Sequence, residues 1–315
     1  MRFALKYALL IIGLGSILLS GYSQPNLVLN HSFEQYDSCT SFVGNIFVSK
    51  NWVSGSLLTP DYFNVCNTFP VSSPSNFIGF QHVQDGGSYS GIAMSRPNDL
   101  REAIQGKLQQ PLEAGKYYCV EMYISIADSM YYNVNEINIS LYQDSILASD
   151  YMDNHNNLPY QVSMNTVGAA DTSDWHLISG GFVASGGENF FLIGFFSSNL
   201  TWTKFRPSNL DDQVTYYYID NISIYECTPP AVIIPDVFTP NGDGINDIFY
   251  IAYLPEGSVL KIYNRWGNIV YENRSYHNDW DGSTGAGQKV SDGTYFYALQ
   301  TPDGKKYSST VNVFK

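Results

Sequence analysis

The chain has 315 residues, of which 44% are hydrophobic, 15% aromatic and only 14% charged. That mix excludes a disordered polymer, which needs low hydrophobicity and high charge, and the length points to two domains with sizeable cores. Sixteen Lys and Arg stand against 29 Asp and Glu, a net charge of −13, so a phosphate backbone is repelled and nucleic-acid binding is excluded.

The chain opens as an export signal. Arg2 and Lys6 form a short positive region, an apolar run follows from Tyr7 to Leu19, and Gly21-Tyr22-Ser23 places small residues at the positions a signal peptidase reads. The run is shorter than the ~20 residues that span a bilayer. Cleavage after Ser23 is expected, so residues 1–23 are a signal peptide, and no later run is apolar enough to form a transmembrane span. The mature protein is expected to be secreted or held at the outer cell surface.

Strand patterns then recur down the chain, separated by Gly, Asn, Asp, Ser and Pro. They fall at Tyr117–Ile126, Glu136–Tyr142, His176–Val183, Phe190–Phe196, Tyr216–Tyr225, Val259–Tyr263, Thr294–Leu299 and Ser309–Phe314. The 25 tyrosines agree, since aromatic side chains suit a half-buried pleated surface. One or two helical turns are expected near Asp99–Lys107. Thr228-Pro229-Pro230 is a break that no strand interior tolerates, so the domains are taken as 24–230 and 231–315. Residues 24–230 hold 20 acidic and 7 basic residues, a net of −13, against 9 and 7 in residues 231–315.

Export makes the four cysteines readable as disulfides, with three connectivities open. Cys39–Cys66 and Cys119–Cys227 is favoured: the first closes a loop near the N-terminal strand, and the second ties an early core strand to the last strand of its domain. No spacing fits zinc.

Residues 25–227 resemble the galactose-binding-like jelly rolls that occur as carbohydrate-binding modules. The resemblance rests on Asn30-His31-Ser32-Phe33-Glu34, on the turn Leu108–Gly115 feeding a long strand, on Trp175–Phe182, and on the closing Tyr216–Ile224 strand. It implies a jelly-roll β-sandwich that recognises a polysaccharide or glycan, with a structural Ca²⁺ held by Glu34 and Asp220, because Ca²⁺ takes carboxylate and carbonyl oxygens. Asn221 stands where the family often has a second Asp, which removes a charge. The alternative reading has Glu34 and Asp220 bonding backbone groups where first and last strands meet. Sugar recognition asks for aromatic platforms, and the candidates are Trp202, Phe205, Tyr131, Tyr132, Tyr62 and Trp52. Trp202 leads, since it sits in the polar stretch Ser197–Asp212 and departs from strand alternation. Thr59–Asn67 and Ser125–Ser129 are similar to elements of exported Bacteroidetes surface proteins.

The C-terminal stretch carries long motifs in order: Phe238–Asp247, Leu260–Tyr271, Trp280-Asp281-Gly282 and Asp292–Tyr297. Together these resemble the gliding-motility-associated C-terminal domain, the type B sorting domain of the type IX secretion system. The resemblance implies an Ig-like β-sandwich over 232–315 and handling by the type IX secretion machinery. Asn241, Asp243, Asn246 and Asp247, set around Gly242 and Gly244, read equally as a short Ca²⁺ loop or as a turn whose side chains bond their own backbone. Tyr263–Gly267 reads as a hairpin turn with Gly267 at positive φ, and its Arg265 and Trp266 as a docking surface or as packing.

No nucleophile elbow, zinc-protease helix or phosphate-binding loop occurs in the mature chain, so the protein is read as non-catalytic. A glycan-binding cargo leads. A surface structural or protein-contact module and a polysaccharide-active hydrolase are the alternatives.

Overall fold

The computed structural model describes residues 24–95, 101–149, 158–166, 168–169, 171–197, 202–206, 214–255 and 257–315; the expected signal peptide lies outside them. The chain divides into two compact units, Met1–Pro229 and Pro230–Lys315.

In the first unit, strands β1 (Val53–Ser54), β4 (Ile104–Lys107), β7 (Glu136–Tyr142), β8 (Val162–Asn165) and β10 (Phe190–Gly194) form one antiparallel sheet in the order β1-β4-β10-β7-β8. A second antiparallel sheet takes β2 (Asp61–Asn64), β3 (Ser88–Ser95), β5 (Tyr117–Ile126), β9 (His176–Val183) and β12 (Thr215–Glu226) in the order β2-β3-β12-β5-β9. Successive strands pass repeatedly from one sheet to the other, which makes the unit a jelly roll. Alternation drives this. In β5 the side chains of Tyr118, Val120, Met122 and Ile124 are buried while Tyr117, Cys119, Glu121 and Tyr123 are half-exposed, the period-2 signature of a strand with one face on a core. Those inner faces meet Ile137, Ile139, Val162, Met164 and Phe191 of the other sheet in one cluster. At Gly180 a Cβ would lie 2.4 Å from Val162 Cγ1, so only glycine lets the sheets approach there.

The helical turn expected near Asp99–Lys107 is corrected: residues 104–107 are β4, with Ile104 facing the main core and Gln105 the opposite side. Pairing with β10 on one side and β1 on the other overrides local propensity. Both disulfides form, Cys39–Cys66 and Cys119–Cys227, and no described cysteine is free. This is the pairing favoured from the sequence.

The second unit holds one sheet, in the order β13 (Val237–Phe238), β17 (Lys306–Val313), β16 (Gly293–Gln300), β14 (Val259–Tyr263) and β15 (Ile269–Asn273). β13 joins β17 in parallel and the rest is antiparallel. One face carries Leu260, Ile262, Tyr295, Tyr297, Leu299, Val311 and Val313 into a core that Phe249, Ile251, Tyr276 and Trp280 complete. Among the described residues the layer opposite the sheet is made of irregular segments with the bridges Ile233↔Ala252 and Ser283↔Lys289, where an Ig-like sandwich has a second sheet of strands.

Candidate functional site

Two short segments of the first unit, far apart in sequence, pair as a separate two-stranded sheet. Strands β6 (Tyr132–Val134) and β11 (Trp202–Lys204) form an antiparallel ribbon with Trp202 opposite Val134 and Lys204 opposite Tyr132. With period 2, Tyr132, Trp202 and Lys204 share one face. The Tyr132 and Trp202 rings meet edge to face at 6.4 Å, and Lys204 Nζ lies 5.7 Å from the Tyr132 ring centre. Immediately beyond, the Phe205 N–H donates to the Tyr131 carbonyl at 3.1 Å, and the Arg206 guanidinium lies 5.4 Å over the Phe205 ring.

Deeper groups hold the ribbon in place. Asn133 is buried and donates from Nδ2 to the Thr166 carbonyl at 3.0 Å, while its Oδ1 accepts from Tyr217 OH. Thr215 Oγ1 donates to the Tyr132 carbonyl at 3.1 Å. Arg206 donates to the Asp128 carbonyl at 2.7 Å and to Thr172 Oγ1 at 2.5 Å. Four of the aromatic residues singled out in the sequence (Tyr131, Tyr132, Trp202 and Phe205) are thus gathered on one pinned, half-buried ribbon. Rings, cations and hydroxyls in this arrangement offer stacking and hydrogen bonding to a neutral polar ligand. Of the pins, Asp128 falls in the Ser125–Ser129 element, whereas Asn133 and Arg206 were not singled out in the sequence, although Arg206 lies one residue past Phe205.

Two further candidates are corrected. Tyr62 is fully buried, its hydroxyl 3.0 Å from Ser88 Oγ and accepting from Asn64 Nδ2 at 2.8 Å; burial pushes the phenol up to about 12. Trp52 is buried against Phe33 and Phe191 and donates from Nε1 to the Asn30 carbonyl. Both are core aromatics, with their polar atoms satisfied internally.

Glu34 and Asp220 do come together, at the 84–88 turn. Asp220 Oδ2 accepts from the Gln84 and Asp85 N–H groups at 3.2 Å each, and its Oδ1 from the Asn221 N–H at 2.7 Å. Glu34 Oε1 accepts from Gly87 and Ser88 N–H at 2.8 Å each. Gly86 is required here, since a Cβ would lie 2.4 Å from Glu34 Cδ. Desolvation pushes Asp220 up to about 8, against three peptide donors that pull it down, and the Glu34 charge adds to the rise. Peptide N–H groups converge on these oxygens, and among the described residues no three acidic, His or Cys side chains gather around a point. This is the arrangement that the backbone-bonding reading of Glu34 and Asp220 expects.

The 241–247 loop repeats the pattern at the surface. Asp247 accepts from Gly242 N–H at 2.6 Å and Gly244 N–H at 2.7 Å, Asn241 Oδ1 accepts from Asp243 N–H, and Asp243 Oδ1 from Ile245 N–H. Asn246 sits at φ 54 and its carbonyl accepts from Thr239 N–H. The two peptide donors hold the Asp247 carboxyl below the usual range. Of the two readings open for this loop, these hydrogen bonds are those of the turn.

The hairpin between β14 and β15 turns on Asn264, whose Oδ1 accepts from Trp266 and Asn268 N–H, and on Gly267 at φ +80. Trp266 is 70% exposed with the Arg265 guanidinium 4.3 Å over its ring. Packing therefore does not explain the pair. Residues 232–313 match the family described as the CHU_C type IX secretion signal domain. The secretion signal domain marks the chain for export by the type IX route, to the cell surface or beyond, and implies handling by that machinery. No helix among the described residues is long and apolar enough to cross a membrane.

A polar cleft of about 630 Å³ lies elsewhere on the first unit, lined by Asn26, Glu121, Ser223, Tyr225 and Glu226 among others. No curated protein matches the chain. Among solved structures, it is similar to a xylan-binding CBM22-1 domain of Paenibacillus barcinonensis Xyn10C (11% identity, 65% of this chain and 97% of that one, TM-score 0.34). It is also similar to the K2 cleaved adhesin domain of Lys-gingipain (9%, 64% and 100%, TM-score 0.36). A third is the N-terminal cellulose-binding domain of Cellulomonas fimi β-1,4-glucanase C (9%, 56% and 90%, TM-score 0.29).

Proposed function

We propose that the first unit is an exported, non-catalytic glycan-binding cargo, carried by the C-terminal secretion signal, and that the β6–β11 ribbon is its contact surface. The observation that carries this reading is the convergence of Tyr131, Tyr132, Trp202 and Phe205 from two distant segments onto one pinned ribbon. Sugar rings present apolar C–H faces edged by hydroxyls, which half-exposed aromatics with flanking cations and hydroxyls complement. The polar cleft supports the reading less well, because its Glu121 and Glu226 are already engaged by Tyr225 and Lys116.

The test is retention of the full mature chain on a glycan array and on neutral polysaccharides. Trp202→Ala is expected to lower affinity about tenfold or more, the loss of one well-packed aromatic contact, in a chain that still shows a cooperative thermal transition. Undiminished binding by that variant would remove the ribbon from the site. No binding of the folded wild-type chain to any glycan would leave the protein-contact module as the reading.

A further inference from the structure

Phenylalanine is rarely left in water without a use, and one region of the first unit leaves several. Phe42 is 71% exposed, Phe69 70% and Phe80 50%, while Phe77, 42% exposed, stacks on Phe63 and meets Tyr216 edge to face. All four sit on loops fastened to one another. Cys39–Cys66 bridges the 38–45 and 64–70 segments, Thr68 N–H donates to the Thr40 carbonyl, and Asn45 Nδ2 donates to Thr40 Oγ1 and to the Phe42 carbonyl. Phe77 N–H donates to the Pro70 carbonyl, and Asn76 Oδ1 accepts from Ile78 and Gly79 N–H. The rings are therefore presented on a braced surface.

That surface runs into the ribbon. Phe80 N–H donates to Asp128 Oδ2 at 2.7 Å, and Ser129 Oγ donates to the Ile78 carbonyl at 2.9 Å. The Asp128 carbonyl in turn accepts from Arg206, whose guanidinium covers Phe205. Chemistry narrows the partner further. From residue 38 to residue 84 the only acidic, Lys or Arg residues are Lys50 and Asp61, and Asp61 is buried, although the unit as a whole is strongly acidic. The exposed phenylalanines alternate with Ser, Thr and Asn, as in Asn67-Thr68-Phe69-Pro70-Val71-Ser72-Ser73. An anionic lipid surface would be matched by positive charge, which this face lacks. An uncharged face of rings and hydroxyls matches an uncharged face of C–H groups and hydroxyls.

We infer that Phe42, Phe69, Phe77 and Phe80 extend the ribbon into one aromatic track, and that the track takes a neutral, insoluble polysaccharide presented as a surface. The inference rests on the glycan reading of the ribbon and adds the class of ligand: an extended polymer surface in place of a short soluble oligosaccharide.

The experiment compares the full mature chain with Trp202→Ala and with the double variant Phe42→Ser/Phe69→Ser, each melted first to show that it folds. Phe42→Ser/Phe80→Ser serves in parallel should the first pair perturb folding. The probes are microcrystalline cellulose, chitin and insoluble xylan, each beside its soluble hexasaccharide. The expected result is that the phenylalanine variants lose about tenfold or more in retention on the polymer and keep hexasaccharide binding, while Trp202→Ala weakens both. Phenylalanine variants that bind the polymer like the wild type would overturn the track and leave the ribbon reading standing. Failure of the wild-type chain on every polymer and hexasaccharide would overturn both. A wild-type chain that sediments as a dimer, with monomeric phenylalanine variants, would assign the face to a second copy and sink the inference.

Discussion

In residues 24–229 each five-stranded sheet is covered by the other, whereas in residues 230–315 a single five-stranded sheet is covered by irregular segments around Phe249, Tyr276 and Trp280. The first arrangement spreads the core over many strands and leaves the loops between them available to carry aromatic side chains outward. The second concentrates its core on a few large rings: Trp280 lies within 6.5 Å, centre to centre, of Phe238, Phe249, Tyr271 and Tyr295. One unit has loops free for function, and the other uses its loops as the missing layer. The first also carries two disulfides and the second has no cysteine.

The sharpest way to break that contrast is to remove the long crosslink. Cys119–Cys227 closes 108 residues, and on the chain-entropy model Cys119→Ser/Cys227→Ser is expected to cost about 4 to 5 kcal/mol. Denaturant titration should show the loss in the first unit's transition alone, and an unmoved midpoint would contradict it. Next, Trp280→Ala removes the centre of the smaller core and should cost about 3 to 5 kcal/mol, read as early melting of the C-terminal unit with the other transition in place. Co-melting of the two units would show that their cores are not separate.

A pH-dependent effect lies at the 84–88 turn. Asp220 titrates at about 8 in the folded chain against about 3.9 in an unfolded one. Between those values the folded state binds the extra proton, so stability is greatest at the acid end and falls as pH rises from about 4 to about 8. Melts of the wild type should therefore be lower at pH 8.5 than at pH 5, while Asp220→Asn should flatten that slope. A chelator added in parallel tests the ion expected at Glu34 and Asp220: curves that stay in place leave the backbone-bonded turn as the reading, and a calcium-dependent rise in melting would support the ion. The smallest effect on stability is expected at Trp266→Ala, within about 0.5 kcal/mol for an exposed site. Secretion is the informative readout there: retention inside the cell of a folded variant would assign the Arg265-Trp266 tip to the export machinery, and normal secretion would release it.

Much of the strand framework was legible because burial alternates with period 2. Tyr117–Ile126, Glu136–Tyr142, His176–Val183 and Val259–Tyr263 are strands with those bounds. The helical turn expected near 99–107 failed because a four-residue segment, Ile104–Lys107, takes its conformation from the neighbours it pairs with. Tyr62 and Trp202 illustrate the same limit at the site. Both are aromatics near polar residues in sequence, yet one has its hydroxyl locked in the core and the other stands half-exposed on the ribbon.

From sequence alone follow the all-β class, the acidic net charge and the secretion signal motifs. Each of these depends on composition, local alternation or residues close along the chain. Tertiary structure alone decided that Glu34, Asp220 and Asp247 direct their oxygens at peptide N–H groups. It alone decided that Tyr131 and Tyr132 meet Trp202 and Phe205, and that Phe42, Phe69 and Phe80 stay at least half exposed. A carboxylate's partners and a ring's exposure depend on which distant segments fold against it, and no local pattern encodes that.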